Sequence, residues 1–314
     1  MNKTIFFLLI SIFLLVSSNA HAFWIWTPQT KRWINPKYSP KENAKLQLEE
    51  VEGLYNAKKF ALALREARKL VSYFPKAVEA AEGQYYIALC LEKMEKYFQA
   101  YKEYQLTIEK YPFSKRIMEI IKREYEIGDM YLEGKLKQTL GNTLSGDEPA
   151  IEIFTNVLDN APYSEFAAAS QYKLGLALLR AKRLYEAKDA FNKVLENYPE
   201  SEWVEPAKYQ IGVVSAELSV GLDYDRTSTA SARKQFEDFI KTYPDAQLSQ
   251  EAKGKISQLK EEEAEANFKT AIFYEKQKAK NSARIYYQYV IDNYPNSEWA
   301  RKAKEKLSAL EVKK

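Results

Sequence analysis

The chain has 314 residues, of which 46% are hydrophobic and 29% are charged, and its formal net charge is +4. A single cysteine and a single histidine exclude an internal disulfide and a zinc site with several Cys and His ligands. Basic and acidic residues are almost equal in number and alternate along the sequence, which does not favour a nucleic-acid-binding face. We therefore expect a protein with no catalytic residues, no cofactor, no metal ion, no small-molecule substrate and no nucleic-acid ligand.

Residues 1–22 have the three parts of a secretory signal peptide: Lys3, an apolar run over residues 5–16, and the small-x-small site Ala20-His21-Ala22. A retained membrane anchor is the alternative, but this apolar run is shorter than the ~20 residues that span a bilayer. Cleavage would remove His21, so the exported chain would hold no imidazole for general-base catalysis. The segment predicts export to the periplasm.

Residues 23–40 contain three of the five tryptophans, Trp24, Trp26 and Trp33. Two prolines, Pro28 and Pro36, disfavour a helix, so we predict an extended arm. Exposed indoles at this density need a docking place. In one interpretation the arm folds back and covers the apolar face of the first repeat. In the other it anchors the chain to a partner protein or to a membrane surface.

Residues 41–314 carry a repeating pattern that predicts helical hairpins. A proline closes each of six units, near residues 75, 112, 162, 199, 244 and 295. Before the last five stops, an alanine and an aromatic residue keep a constant spacing: Ala100 and Tyr104, Ala150 and Phe154, Ala187 and Phe191, Ala232 and Phe236, Ala283 and Tyr287. The first unit has Ala63 and Ala67 at the equivalent positions. We predict an all-α, right-handed superhelical solenoid of about six hairpins, closed by a capping helix over residues 297–312.

The unit at residues 162–199 shows the pattern most clearly. Ser164 is placed to cap a helix, a basic turn follows at residues 181–183, and Gly175 and Ala187 are small where two helices must approach closely. Two insertions, at residues 134–148 and 220–227, interrupt the array, and a long charged helix is predicted over residues 249–278.

The order of a glycine in the first helix, an alanine and an aromatic in the second, and a closing proline resembles the tetratricopeptide repeat. The period here is longer than the ~34 residues usual for that repeat. In such an array we expect the first helices to line a groove that binds protein partners or extended peptides.

A tyrosine stands three residues before each glycine or its equivalent, and these tyrosines are the candidate groove residues: Tyr85, Tyr125, Tyr172 and Tyr209. Tyr86 and Glu82 are weaker candidates. Phenol groups in a row would offer an extended peptide apolar area and hydroxyls with few torsions to freeze. The alternative is that these rings pack between hairpins. Trp203 and Trp299, each behind a Tyr-Pro stop, are predicted to be packing residues, and Cys90 a small buried side chain.

The C-terminal half resembles the BamD (ComL) family, the tetratricopeptide subunit of the outer-membrane β-barrel assembly machine. The similarity is carried by residues 221–227 (G-L-D-Y-D-R-T), 233–239 (R-K-Q-F-E-D-F) and 243–245 (Y-P-D), and by residues 265–295. It implies a non-catalytic scaffold, periplasmic and peripheral at the inner face of the outer membrane. Its N-terminal hairpins would receive unfolded outer-membrane protein precursors, and its C-terminal hairpins would dock on the barrel subunit.

One feature departs from that family, whose members are acylated on a cysteine just after the signal. No cysteine stands there in this sequence. This predicts either a relative held at the membrane by partners, with the tryptophan arm partly replacing the lipid, or a paralogue with another task. A periplasmic coordinator of envelope synthesis, division or pilus secretion is the alternative function. A carboxylate-dependent glycan hydrolase would need two facing carboxyl groups, which a solenoid gives no reason to expect.

Overall fold

The computed structural model describes residues 24–27, 32–35, 39–136, 147–221 and 226–312. These residues form thirteen α-helices and two short β-strands, which confirms the all-α repeat fold. The predicted signal peptide and residues 137–146 of the first insertion lie outside the described residues. The chain divides into two compact units, Met1–Ile120 and Ile121–Lys314.

The first unit holds strands β1 (Ile25–Thr27) and β2 (Arg32–Ile34), followed by helices α1 (Ala44–Asn56), α2 (Phe60–Tyr73), α3 (Glu79–Lys93) and α4 (Tyr97–Lys110). Each helix packs antiparallel against the next. We name α1 with α2 hairpin 1, and α3 with α4 hairpin 2. Helix α5 (Ile117–Leu132) begins in this unit and ends in the second one.

The second unit continues with α6 (Asp147–Asn160), α7 (Ala167–Arg180), α8 (Leu184–Asn197), α9 (Val204–Gly221), α10 (Arg226–Thr242), α11 (Gln247–Lys276), α12 (Lys280–Asn293) and α13 (Glu298–Val312). Hairpin 4 is α7 with α8, hairpin 5 is α9 with α10, and hairpin 6 is α11 with α12. Consecutive helices from α6 to α13 pack against one another, and α11 also contacts α9 and α13.

Four hairpins turn through a left-handed residue that is not glycine. Lys58, Glu95, Lys182 and Lys278 have φ between 58° and 60°. The N–H of the next residue donates back to a carbonyl five positions earlier, as from Arg183 to Leu178 at 2.9 Å. This bond satisfies a carbonyl at the end of the helix and fixes a tight reversal. Helix and turn chemistry therefore determine the hairpin locally.

The closing prolines end the second helices as predicted. Each of these helices stops two residues before its proline. The residue between them leaves the α-helical region, which the proline ring disfavours, as at Tyr198 with φ −133° and ψ 52° and Tyr294 with φ −132° and ψ 52°. The same proline signal therefore ends the second helix of each hairpin.

The repeated alanine–aromatic pairs form the core of the hairpins. All ten of these residues, from Ala100 and Tyr104 to Ala283 and Tyr287, have a relative exposure of 0%. Ala63 and Ala67 are equally buried, although no aromatic accompanies them. The spacing that predicted the repeats therefore identified the interior correctly.

The two helices of hairpin 4 approach so closely that only glycine fits at one point. A Cβ built on Gly175 would lie 2.5 Å from Cε1 of Phe191. Gly212 stands in the same relation to Phe236, at 2.8 Å. The small residue and the aromatic ring are thus two halves of one contact, which explains why both recur in the sequence.

Three sequence expectations were wrong in detail. Ser164 does not cap α7: its hydroxyl donates to the carbonyl of Ala161 at 2.9 Å, while its own carbonyl accepts from the N–H of Ala167. The first insertion is shorter than the predicted residues 134–148, because α6 begins at Asp147. The second is also shorter than predicted, because α9 continues to Gly221 and α10 starts at Arg226. In both insertions a helix extends into residues that carry loop-type side chains.

Candidate functional site

The candidate groove tyrosines lie in the first helices of the hairpins and in α5, and each ring contacts an aromatic ring of the following helix. The ring centroids are 6.0 Å apart for Tyr85–Tyr104, 6.1 Å for Tyr125–Phe154, 5.6 Å for Tyr172–Phe191 and 5.7 Å for Tyr209–Phe236. Offset and tilted pairs at this separation stabilise the packing beyond the area they bury. The row is therefore part of the helix–helix contact.

The opposite side of the row is covered by the helix or turn that comes next. Trp203 lies 5.0 Å from Tyr172, and Trp299 lies 5.2 Å from Phe268, the ring that replaces the tyrosine in hairpin 6. This confirms that the two tryptophans are packing residues. At the equivalent place in the first unit, the guanidinium of Arg116 lies 5.0 Å from the Tyr85 ring and makes a cation–π contact.

Packing on both sides leaves little of the tyrosine rings exposed. Tyr85 is 2% exposed and Tyr209 is 6% exposed, whereas Tyr125 and Tyr172 are half-buried. Burial, reinforced by the Glu251 carboxylate, raises the pKa of Tyr209 above its ordinary value. These positions favour the packing alternative for Tyr85 and Tyr209, because a peptide could reach only the hydroxyl edge of such a ring.

Three hydroxyls of the row, those of Tyr85, Tyr125 and Tyr209, contact charged groups. Tyr85 donates to Glu119 at 2.5 Å, and Tyr209 donates to Glu251 at 3.3 Å. Lys173 lies between Tyr125 and Asp129, with its Nζ 2.8 Å from the phenol oxygen and 2.6 Å from the carboxylate. The row is thus linked to neighbouring helices by polar contacts as well as by ring packing.

The two weaker candidates lie beside Tyr85. Tyr86 is half-buried and contacts the Tyr55 ring at 5.4 Å, and burial raises its pKa. Glu82 accepts from the Arg116 guanidinium at 3.0 Å. Arg116 also pairs with Glu119 at 2.9 Å, so the same cation bridges both carboxylates. The structure brings Tyr85, Glu82 and Arg116 into one cluster.

Sequence reasoning missed a row of buried polar residues immediately before the aromatic row. Gln84, Gln171 and Asn267 precede Tyr85, Tyr172 and Phe268, and each is at most 5% exposed. Gln84 donates to Glu103 and Gln171 donates to the backbone carbonyl of Ala190, in both cases nineteen residues ahead. A polar residue at this fixed offset in the repeat was the available signal. The two glutamines join the helices of their hairpins, whereas Asn267 donates to the Glu263 carbonyl of its own helix.

A second surface was also missed, on the outward side of α12. Ile285 is 68% exposed and Tyr289 is 45% exposed, one helical turn apart. The aromatic surface continues through Tyr286, which stacks on Tyr274 at 5.4 Å with an interplanar angle of 17°. Phe273, 56% exposed, contacts Tyr274 in turn. We call these five residues the α12 face.

The α12 face opens onto a cavity of about 450 Å³ lined by residues of α10, α11 and α12, together with Tyr294 just beyond α12. In its wall Glu263, 5% exposed, faces the Arg233 guanidinium at 3.4 Å. Burial, followed by the negative charge of Glu263, raises the pKa of Tyr294. The cavity is therefore aromatic at its mouth, with a neutralised ion pair in its wall.

Hairpin 4 has a charged surface at the positions where hairpin 6 is apolar. Asp189 and Lys193 stand 96 positions before Ile285 and Tyr289, and they form an ion pair at 2.8 Å. Such a pair is the usual solvated surface of a helix. An exposed apolar surface is unusual on a repeat whose equivalent helix is charged, and exposed aromatic residues are typical of protein interfaces.

The segment predicted as an extended arm contains a β-ribbon. Strands β1 and β2 are antiparallel, with Ile25 opposite Ile34 and Trp26 opposite Trp33. The Trp26 and Trp33 rings contact edge to face at 5.7 Å. Trp24, Trp26 and Trp33 are 56%, 46% and 62% exposed, so they do not bury an apolar face of hairpin 1. The fold-back interpretation is therefore wrong for these three indoles.

The described part of the chain contains neither a metal-binding cluster nor a membrane-spanning helix. No set of three or more His, Cys, Asp or Glu side chains in that part of the chain is arranged to hold a metal ion. None of its helices combines the length and apolar character required to cross a bilayer. Cys90 is fully buried, as predicted, and burial raises the pKa of its thiol to about 12.

These features define a protein of the tetratricopeptide class, and a tetratricopeptide-repeat model matches residues 82–114. The family model YfiO, described as outer membrane lipoprotein, matches residues 129–312. The chain belongs to the YfiO outer membrane lipoprotein family. This confirms the resemblance to BamD, and repeats of this class bind other proteins.

Solved structures of other proteins are similar to parts of this chain. MamA from Desulfovibrio magneticus RS-1 has 16% identity and a TM-score of 0.35, over 67% of this chain and 99% of that one. A tetratricopeptide repeat protein from Parabacteroides merdae has 12% identity and a TM-score of 0.37, over 85% and 98% of the two chains. No curated protein matches the sequence.

Proposed function

We propose that this protein is a non-catalytic periplasmic scaffold for the assembly and insertion of outer-membrane β-barrel proteins. Its partners would be the barrel-assembly subunit and unfolded barrel precursors. The family match supports a place in the cell envelope and a role in protein–protein interaction. The observation that carries the proposal is the α12 face, because an exposed aromatic surface beside a cavity is the type of site where partner proteins dock.

In this proposal the α12 face binds the assembly subunit, and extended precursor segments bind beside the tyrosines within each unit, at Tyr85 and Tyr86 in the first and at Tyr125, Tyr172 and Tyr209 in the second. The buried rings at Tyr85 and Tyr209 leave such a segment only hydroxyl edges and the neighbouring charged groups, including Glu82. The half-buried Tyr86, Tyr125 and Tyr172 would offer it more ring area. Precursor binding would therefore be weaker and less specific than docking at the α12 face.

Site-specific photo-crosslinking in living cells tests this function. A photoreactive phenylalanine analogue is placed at position 285 or 289, and at the matched charged positions 189 or 193 of hairpin 4. We expect crosslinks from 285 and 289 to a subunit of the barrel-assembly machine, and few from 189 and 193. Mass spectrometry of the products identifies the partner. Recovery of division or pilus proteins instead would support the alternative function and contradict this one.

A charge exchange sharpens the same test. The double change Ile285→Asp and Tyr289→Lys gives α12 the residues of α8. Interface residues of the kind that dominate binding contribute about 2 kcal/mol or more, so partner capture should fall about thirtyfold for each essential residue. Exposed substitutions usually change stability by less than about 0.5 kcal/mol, so the fold should persist. Unchanged partner capture by this variant would contradict the proposal that the α12 face is the docking site.

A further inference from the structure

The tryptophan ribbon, residues 24–27 and 32–35, exposes four large apolar side chains. Its three indoles are about half exposed. Ile25, which stands between Trp24 and Trp26 in the sequence, is 45% exposed. Successive residues of a strand point to opposite faces, so Trp24 and Trp26 share one face and Ile25 lies on the other. The ribbon therefore presents apolar side chains on both faces.

A ribbon with apolar residues on both faces is poorly suited to lie on a folded protein, where one face would stay in water. An isolated two-stranded ribbon is also only marginally stable in water. Trp side chains combine a large apolar ring with an N–H donor, and they concentrate where hydrocarbon meets lipid headgroups. A bilayer interface surrounds an inserted ribbon, so it can cover both faces at once.

The charge of the surrounding sequence indicates which lipids such a ribbon would meet. Residues 24–45 contain one acidic residue, Glu42, and five basic ones: Lys31, Arg32, Lys37, Lys41 and Lys45. Lys41 pairs with Glu50 at 3.3 Å, which leaves a clear positive excess in the segment. Basic residues beside an apolar anchor are attracted to anionic lipid, and stable attachment requires both signals.

We propose that the tryptophan ribbon inserts its indoles into the headgroup boundary of a bilayer containing anionic phospholipid, to which the net positive charge of residues 24–45 attracts it. The first unit thereby holds the protein at a membrane surface. This attachment is separate from partner docking at the α12 face, which lies in the second unit.

Vesicle flotation of the full protein tests the proposal. The probes are vesicles of phosphatidylethanolamine with phosphatidylglycerol, and vesicles of phosphatidylcholine alone. We expect the wild-type protein to float with the anionic vesicles and to bind phosphatidylcholine more weakly. Brominated acyl chains in the anionic vesicles should quench the tryptophan fluorescence. Each indole gains the transfer free energy of a large aromatic side chain when it leaves water. The triple change of Trp24, Trp26 and Trp33 to Ser should therefore lower the partition coefficient of the protein into vesicles on the order of a hundredfold or more.

Two further variants separate this role from partner docking. Ile285→Ser with Tyr289→Ser removes exposed apolar residues of the second unit, and it should leave flotation unchanged while reducing partner crosslinking. Lys31→Gln with Arg32→Gln should weaken binding to anionic vesicles about fivefold for each charge and leave phosphatidylcholine binding unchanged. The proposal is overturned if the wild type stays unbound, or if the triple tryptophan variant floats as well as the wild type. Crosslinks from position 24 to a protein partner, without flotation, would assign the ribbon to that partner instead.

Discussion

Hairpins 4 and 6 are built from residues that stand 96 positions apart, and their shared interior contrasts with their different surfaces. Ala187 and Phe191 in hairpin 4 correspond to Ala283 and Tyr287 in hairpin 6, and all four are fully buried. The outward positions differ completely, with an ion pair on α8 and apolar residues on α12. Interior positions define the repeat, so the surface is free to vary and to acquire a binding role.

Two interior substitutions also distinguish the hairpins. Gly175 of hairpin 4 corresponds to Ala271 of hairpin 6, and Phe191 corresponds to Tyr287. The Tyr287 hydroxyl donates to Glu275 at 2.6 Å. The position equivalent to Glu275 in hairpin 4 is Leu179. In hairpin 4 the helices therefore pack through an apolar ring against glycine. In hairpin 6 they pack through a phenol that is hydrogen-bonded to a carboxylate.

The largest stability effect is expected from Gly175→Ala. The added methyl group would lie 2.5 Å from the fully buried Phe191 ring, so the helices must separate. Overpacking of this kind destabilises by about 1–3 kcal/mol, which outweighs the better helix propensity of alanine. The reverse change in hairpin 6, Ala271→Gly, should cost only about 1 kcal/mol. Urea unfolding followed by circular dichroism measures both.

Gly254 supplies the control for this prediction. It lies in α11, and a methyl group added to it would meet no heavy atom within 4 Å, so Gly254→Ala should stabilise by up to about 1 kcal/mol. If Gly175→Ala stabilised as much as Gly254→Ala, the close contact with Phe191 would not limit this hairpin.

A smaller effect is expected from Tyr287→Phe, which gives hairpin 6 the ring of hairpin 4. The change removes a hydrogen bond to a carboxylate, and we expect a loss of about 1 kcal/mol because Glu275 is partly exposed and keeps Lys306 at 3.4 Å. The double variant Tyr287→Phe with Glu275→Leu transfers the complete apolar pair and should recover part of the loss. The single variant Glu275→Leu completes the double-mutant cycle, and additive effects of the two single changes would show that the pair is uncoupled.

The same tyrosine predicts a pH dependence. Burial, followed by the Glu275 carboxylate, raises the pKa of Tyr287 above its ordinary value of 10.0. Above pH 10 the unfolded chain therefore loses this proton first, and stability falls as pH rises. Tyr287→Phe should lose less stability than the wild type between pH 9 and 11. An identical slope in both proteins would contradict the assignment.

The smallest effect is expected at the hairpin turns, where both hairpins use a left-handed lysine. Glycine adopts φ near 60° without strain, so Lys182→Gly and Lys278→Gly should each stabilise by about 0.5–1 kcal/mol. Lys182 also holds the Glu217 carboxylate at 2.7 Å on the surface, so its replacement should gain less than that of Lys278. Thermal unfolding of the two variants compares the gains, and a larger gain at position 182 would reverse the argument.

The fold was predictable because its determinants are local. Proline, the small residue and the aromatic ring recur at fixed offsets, and each acts within one hairpin or on its neighbour. Ser164 shows the limit of this reasoning, since a serine near a helix start can donate within the preceding turn instead of capping. The insertions were misjudged for a related reason, because residues with loop propensity can still extend a helix.

The candidate sites were less predictable because exposure depends on which helix packs next. Tyr85 and Tyr209 have the residue type of a binding row, yet neighbouring side chains cover their rings. The α12 face carries apolar residues that the hydrophobic pattern of their own helix cannot distinguish from core. Only comparison with the charged positions of α8, which the 96-residue offset permits, identifies Ile285 and Tyr289 as a surface feature.

The burial of Cys90 has a practical consequence for experiments on this protein. Its thiol is fully buried, and with a pKa of about 12 only on the order of 0.01% is thiolate at pH 8. Because the sequence has no second cysteine, a cysteine introduced at an exposed position would be the single fast-reacting nucleophile. Spin labels or fluorophores could therefore be attached one at a time to the native chain, without first replacing its own sulfur.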